Sequence, residues 1–385
     1  MYKDMYELPE KFAEFAEARQ AGFLKVKGVK ESGQKVAGIF CTYTPVEILN
    51  AAGFCDVGLC GMSNETVPDS EVHLPKNLCP LIKSSYGFAL TDKCPYTYFA
   101  DLIVGETTCD GKKKMYELLG KLKPVHILRL PQEFGEVARD IWRKEMHRFV
   151  DFLESTYGVK ITQENLRKEA ELKNREREER LKLMALQKLD PPPAYGLQLY
   201  TTMDGANFMF DREARVTSLR DLRESLEKAY EAGERPVPAG SKRILVTGCP
   251  IGGVLNKTVK LIEENGGVVV SFENCGGIKH VYQMVDLEAE DMVDAIADRY
   301  LDIGCSVMTP NDVRIDLIEK LVKEYKVDGV VEINLQACHT YIIESHNIRN
   351  KVKELGLPYL GIETDYAESD LGQLSTRIEA FLETI

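Results

Sequence analysis

The 385-residue chain holds one tryptophan and six histidines, and it carries no apolar run approaching the about 20 residues of a membrane-spanning helix. It has no CxxC pair, so the usual signature of structural zinc is missing. It has no GxxxxGKS/T loop either, which excludes the common phosphate cradle of nucleotide hydrolases. Positive charge is in deficit: 49 Lys and Arg face 61 Asp and Glu, for a formal net charge of −12. That balance disfavours nucleic acid and anionic membranes as partners. The stretch from Met1 to Glu17 is charged and lacks the apolar centre of a signal peptide, so a cytoplasmic location is expected.

Cysteine is present in excess. Ten occur, and in a reducing compartment they serve more often as metal ligands or catalytic groups than as disulfide partners. Six of them fall into two spaced triplets. Cys79, Cys94 and Cys109 have fourteen residues between neighbours, and Cys275, Cys305 and Cys338 lie in the C-terminal part. Three thiolates from each half suit a metal–sulfur centre held in the cleft between the halves. Cys41, Cys55 and Cys60 lie upstream of the first triplet, and Cys249 stands alone.

Length predicts two domains with a helical appendage. Residues 1–35 read as an N-terminal helical segment with a Gly/Lys connector. Residues 36–235 read as a first domain, with strand-like runs over 36–40, 101–105 and 125–130 and a helix over 112–122. Trp142, Met146, Phe149 and Leu153 recur at helical spacing and predict one buried face. From Arg167 to Lys182 twelve of sixteen residues are charged, which predicts a solvent-exposed helix with i,i+4 pairs, ended by Pro191-Pro-Pro193. A helix over 215–233 and a Pro/Gly linker over 235–240 lead into a second domain, 236–385. There strands over 243–248, 268–272, 329–333 and 358–362 alternate with helices over 255–265, 289–301, 312–325, 341–355 and 371–385. This alternation predicts an α/β protein: two doubly wound parallel-sheet domains of Rossmann or flavodoxin type, with a long helical connection.

Three cysteines share a topological position in that scheme. Each follows a predicted strand, in Gly105-Glu-Thr-Thr-Cys-Asp-Gly111, Glu273-Asn-Cys-Gly-Gly277 and Asn334-Leu-Gln-Ala-Cys-His339. Open α/β sheets gather their sites at strand ends, and a helix N-terminus stabilises a thiolate. Dispersed single cysteines fit an iron–sulfur cluster built from several loops better than they fit zinc. Spacing alone leaves simple burial in the core as the alternative. Gly248-Cys-Pro-Ile-Gly-Gly253 lacks the Lys-Ser/Thr of a phosphate loop and reads as a tight strand–helix turn, with Cys249 in the core.

Several runs together are more specific. Asn77-Leu-Cys-Pro-Leu-Ile-Lys-Ser-Ser-Tyr-Gly87 and Asp101-Leu-Ile-Val-Gly-Glu-Thr-Thr-Cys-Asp-Gly-Lys-Lys-Lys-Met115 resemble the 2-hydroxyacyl-CoA dehydratase/benzoyl-CoA reductase superfamily. So do Thr42-Tyr-Thr-Pro-Val-Glu-Ile-Leu-Asn-Ala-Ala-Gly53, Pro191-Pro-Pro-Ala-Tyr-Gly196 and Gly329-Val-Val-Glu-Ile-Asn-Leu-Gln-Ala-Cys338. In dehydratase subunits of that superfamily three cysteines hold one [4Fe–4S] cluster, and by motif these resemble Cys79, Cys109 and Cys338. The additional Cys94, Cys275 and Cys305 make the chain look most like the double-cubane branch. Members of that branch carry an [8Fe–9S] centre with three cysteines on each cubane, and here Cys60 stands as a candidate replacement for one of the six. The resemblance further implies a homodimer and an electron supply from a separate ATP-hydrolysing reductase, itself a homodimer with a [4Fe–4S] cluster.

Polar candidates flank the cysteines. His339 adjoins Cys338 and is a candidate proton or hydrogen-bond donor, with helix capping as the alternative. Glu106 and Glu273 precede Cys109 and Cys275 and are candidate proton relays. Lys112, Lys113 and Lys114 read as a solvated helix face, and His126 as a core histidine. The leading expectation is a double-cubane reductase of small molecules. The alternatives are a [4Fe–4S] dehydratase subunit, and a cluster carrier or zinc-stabilised binding module without catalytic activity.

Overall fold

The Val/Ile-rich runs form short parallel strands, because a strand covered by helices on both faces buries every side chain rather than alternate ones. In the computed structural model, which describes residues 12–385, two four-stranded sheets result. The first contains β1 (Val36–Ile39), β2 (Cys55–Gly58), β3 (Leu102–Glu106) and β4 (Val125–Leu128), in the order β2-β1-β3-β4. The second contains β5 (Lys242–Gly248), β6 (Gly267–Phe272), β7 (Gly329–Leu335) and β8 (Tyr359–Thr364), in the order β6-β5-β7-β8. Every pairing is parallel. The predicted doubly wound α/β class is the one observed. Only β2 escaped the sequence pattern, because Cys55-Asp-Val-Gly58 is too short and mixed to stand out.

The chain divides into two compact units, each made of separated stretches. One comprises Ala21–Arg177 with Gln283–Val313 and holds the first sheet; the other takes residues 12–20, Glu178–Tyr282 and Arg314–Ile385 and holds the second. Of the helical segment expected over 1–35, a helix is present from Ala13 to Glu31, and residues 1–11 lie outside the described part. In the first unit Trp142, Met146, Phe149 and Leu153 are all fully buried, so the predicted helix face is real. Its helix, Glu136–Tyr157, packs on Met292–Leu301 and is clamped there by a two-pronged Arg143–Asp298 pair at 2.8 and 2.6 Å. The second unit has its own core, in which Leu245, Val268, Val270, Val330, Ile318 and Ile348 participate.

The charged stretch is where sequence pattern and structure part. It lies in helix Gln163–Ala185, but it is not the solvent-exposed helix expected from its composition. Asn174, Glu176, Arg177, Glu179 and Arg180 are all buried, and tertiary partners replace many of the expected i,i+4 pairs. Arg177 bonds Glu47 at 2.6 Å, with both side chains fully buried, and Tyr300 donates to the same carboxylate at 2.7 Å. Burial opposes the Glu47 charge, yet Arg177, Arg299 and the Tyr300 hydroxyl outweigh it and hold the carboxyl below its usual range. Charge alone could not reveal this, since a buried ion pair needs a partner far away in sequence.

Candidate metal–thiolate site

In a doubly wound sheet the strand order reverses at one point, and loops leaving the C-terminal strand ends diverge there to open a crevice. In the first sheet that point lies between β1 and β3, and in the second between β5 and β7. Cysteines populate both. Cys41 follows β1, Cys60 follows β2 and Cys109 follows β3; likewise Cys249 follows β5, Cys275 follows β6 and Cys338 follows β7.

In the first unit, Cys79 and Cys109 are the N-caps of helices Pro80–Leu90 and Asp110–Leu119. Their first turns touch. A Cβ on Gly111 would lie 2.6 Å from Ile82 Cδ1 and 3.2 Å from Leu78 Cδ1, so the glycine of the Cys-Asp-Gly run lets the two N-termini converge. Both sulfurs are thereby presented from helix N-termini. The loop after Cys60 is pinned to the same Pro80–Leu90 helix, with Gly61 N–H donating to Ser85 Oγ at 3.0 Å and Ser63 N–H to Ser84 Oγ at 3.2 Å. Cys305 joins this end of the sheet through residues 303–309. That strap is tied to the β1 loop by Tyr43, whose hydroxyl donates to Ile303 O at 2.6 Å. Its other end meets the β3 loop: Thr309 N–H donates to Gln132 O at 3.0 Å, and Gln132 Nε2 donates to Thr107 O at 2.9 Å. Cys305, grouped in sequence with Cys275 and Cys338, therefore belongs to the unit that carries Cys79 and Cys109.

Cys94 is placed apart from them. It caps the short helix Pro95–Phe99, its sulfur accepting from Thr97 N–H at 3.5 Å. That helix feeds the start of β3: Asp101 N–H donates to Val36 O at the beginning of β1, and Lys123, just before β4, donates to Tyr98 O. Cys94 thus lies at the N-terminal end of the sheet, while Cys79, Cys109 and Cys305 gather at the C-terminal end. The five residues of β3 alone separate the two ends by about 15 Å.

Polar groups complete the first unit's strand ends. Glu106 is fully buried and bonded by Thr44, and desolvation lifts its pKa to about 7 despite the pull of Lys112. Its Oε2 has no hydrogen-bond partner among the described residues. Lys112 does not lie on a solvated face as expected. Its Nζ donates to Phe40 O at 3.1 Å, and although burial opposes its charge, Tyr116, Cys41, Cys60 and Glu106 keep it protonated well above the usual range. Lys113 and Lys114 do face solvent and pair locally with Asp110 and Glu117.

In the second unit Cys338 caps helix His339–Glu354, and Cys275 lies in the loop after β6. Tyr341, on the first turn of that helix, places its hydroxyl 3.9 Å from Cys275 Sγ and accepts from Lys279 Nζ at 2.7 Å. Tyr341 therefore joins the two cysteine loops. Gly248 turns the chain after β5 at φ 114°, where an added Cβ would strike Ile333 O. The next residue, Cys249, is fully buried, and its sulfur accepts from Leu335 N–H at 3.1 Å, as expected of a core cysteine. Glu273 is locked in place: Arg314 Nε at 3.1 Å, Thr247 Oγ1 at 2.5 Å and Lys279 at 3.6 Å surround it. Arg314 also binds Glu344 and Glu332, and this buried network raises its pKa although desolvation opposes the charge. His339 is exposed at the first helical position. Nothing in the local pattern around Tyr341, Lys279 or Arg314 marked them, because the contacts that join them to the site, such as Tyr341 with Cys275 and Arg314 with Glu273, span 66 and 41 residues.

Buried polar atoms are nearly always paired. Four exceptions sit next to cysteines: Thr42 Oγ1 beside Cys41, Thr108 Oγ1 beside Cys109, Ser306 Oγ beside Cys305 and Asn274 Nδ2 beside Cys275. All four can donate to sulfur, and the adjoining thiols are soft ligands. This donor set fits a thiolate-held metal–sulfur group.

A model of the family described as 2-hydroxyglutaryl-CoA dehydratase, D-component, matches residues 41–385, a span that includes all ten cysteines. The chain belongs to this family. Among dehydratase-family relatives it is 49% identical over 381 residues to the protein described as "Putative dehydratase subunit YjiM" of Escherichia coli (strain K12), covering 98% of this chain and 99% of the relative. It is 26% identical over 390 residues to the (R)-phenyllactyl-CoA dehydratase beta subunit of Clostridium sporogenes, covering 100% and 97%. It is 23% identical over 398 residues to a benzoyl-CoA reductase subunit of Thauera aromatica, covering 94% and 91%. The superfamily that the motifs resemble, joining dehydratase and reductase subunits, is thus the one that contains this chain, and the chain is a component of that class of enzyme.

Proposed function

We propose that this chain is the iron–sulfur component of a reductase that acts on small molecules and receives low-potential electrons from a separate ATP-hydrolysing [4Fe–4S] reductase. The observation that carries the reading is the repetition of strand-end cysteines, with unpartnered donors beside them, in both units. A dehydratase cluster of three thiolates would use only Cys79, Cys109 and Cys338, which leaves Cys275 after β6 and Cys305 on its strap without a task. An [8Fe–9S] double cubane uses six; of the expected set Cys109, Cys275 and Cys338 follow strands, and Cys79 and Cys305 are held beside the C-terminal end of the first sheet. When bound, such a centre supplies stored electrons at low potential.

The protein's own residues hold and tune it. Cys79, Cys109 and Cys338 present their sulfurs from helix N-termini. Glu106, with a pKa of about 7, carries a proton near neutrality and is the better candidate donor; Glu273 is committed to Arg314 and Lys279. His339 remains an accessible proton source beside Cys338. The absence of a GxxxxGKS/T loop supports ATP hydrolysis on a partner, and a homodimer of this chain in the cytoplasm completes the proposal.

The runner-up is a [4Fe–4S] subunit of a 2-hydroxyacyl-CoA dehydratase working with a second, different subunit, a reading favoured by the dehydratase names of the relatives. Iron and acid-labile sulfide content with EPR on oxygen-free protein separates them. About eight irons per chain is the expected result, and about four supports the dehydratase reading. Zinc instead of iron would sink both and leave a carrier or binding module.

A further inference from the structure

Cys94 caps a helix at the N-terminal end of the first sheet, so a six-thiolate centre needs another donor; the inference rests on the function proposed above. The two sheets share one strand order, and their loops can be matched pairwise. The β3 and β7 loops carry Cys109 and Cys338, the β1 and β5 loops Cys41 and Cys249, and the β2 and β6 loops Cys60 and Cys275. Cys249 is fully buried and bonded by Leu335 N–H, so in the second unit it is the β6 cysteine, Cys275, that is left to bind, and Cys60 is its counterpart in the first. The geometry points to Cys60 as the missing metal-ligating thiolate of the first unit, in place of Cys94.

Three contacts place Cys60 with the other thiolates. Ser84 and Ser85 anchor its loop to the helix whose N-cap is Cys79. Its sulfur lies 3.4 Å from Phe40 O. Lys112, on the first turn of the helix capped by Cys109, donates to the same carbonyl at 3.1 Å. Cys60 is therefore tied to both helices whose N-termini bear the other thiolates of this unit. Glu106 Oε2 and Thr108 Oγ1, on buried side chains at the same strand end, have no hydrogen-bond partner among the described residues and supply the independent sign of a bound group. Lys112 Nζ and Cys60 Sγ thus meet at one backbone carbonyl, that of Phe40.

The test compares oxygen-free wild type, Cys60→Ser and Cys94→Ser for iron, acid-labile sulfide and EPR. Iodoacetamide footprinting of the wild-type thiols, read by mass spectrometry before and after iron chelation, needs no variant to fold. Cys60→Ser is expected to lose about half of the iron, the content of one cubane, while Cys94→Ser keeps all of it. In the footprint Cys60 is expected to react only after chelation, and Cys94 at the same rate in both states. Full iron in Cys60→Ser, or equal labelling of Cys60 in both states, overturns the inference while leaving the iron–sulfur reading intact. A wild type without iron overturns that reading, and this one with it.

Discussion

His126 is a case in which burial acts on one ring. It sits in β4 with its ring centroid 4.1 Å from Phe152 and 5.1 Å from Phe149, both stacked. Burial, followed by the nearby Arg148 and Arg129 charges, lowers its pKa to about 4 from the ordinary 6.5. A depressed folded pKa means that the neutral ring stabilises the fold above pH 6.5, and that this contribution is lost as pH falls from 6.5 towards 4. His126→Phe keeps the stacking and removes the proton site. The stability lost between pH 7 and pH 4.5, measured by urea unfolding, should shrink by about 1–2 kcal/mol after allowing for the ring's partial exposure. An unchanged pH dependence would show that His126 does not titrate in this way. At the same scale Glu106 and Glu273, alike in sequence position, differ in chemistry because only Glu273 has Arg314 beside it.

Helix Val46–Ala51 is held by a pair of charges that the hydropathy pattern hides. Its Glu47, the acidic residue of the Pro-x-Glu run, meets Arg177 and Tyr300 in full burial, and so fixes the helix that follows the Cys41–Thr44 loop. Removing one partner leaves the other charge without compensation, at a cost of about 3–5 kcal/mol. Arg177→Met alone should therefore be strongly destabilising, and Glu47→Leu alone similarly so. The double variant should recover much of the loss, giving a large coupling energy in a denaturation cycle. Additive effects of the two substitutions would deny the coupling.

Metal binding is the prediction that belongs to the whole molecule. Under the function proposed above, the cysteine ligands come from separate loops and meet as a set only in the native state, so a bound group would stabilise that state by mass action. Chelating the iron from oxygen-free protein should lower the apparent Tm by several degrees, at about 2–4 °C per kcal/mol for units of this size. Differential scanning calorimetry of matched iron-loaded and chelated samples reads the shift, and coincident melts would argue against metal held by native loops. The same comparison on Cys94→Ser should give the wild-type shift.

The α/β class, seven of the eight strands and most helices followed from local periodicity, because strands buried on both faces need apolar runs and each long helix needs an apolar stripe. Family membership followed from short motifs, and the match over residues 41–385 agrees with it. What tertiary structure alone decided is which residues share a place. The buried Arg177–Glu47 pair spans 130 residues. The strap carrying Cys305 folds with the first sheet, although in sequence it lies between β6 and β7 of the second. Cys94 and Cys109 have the same spacing as Cys79 and Cys94, yet β3 runs between them and carries them to opposite ends of one sheet. Spacing along a chain records how many residues intervene. Only the direction of the strands and helices between them determines whether two thiols can reach the same metal.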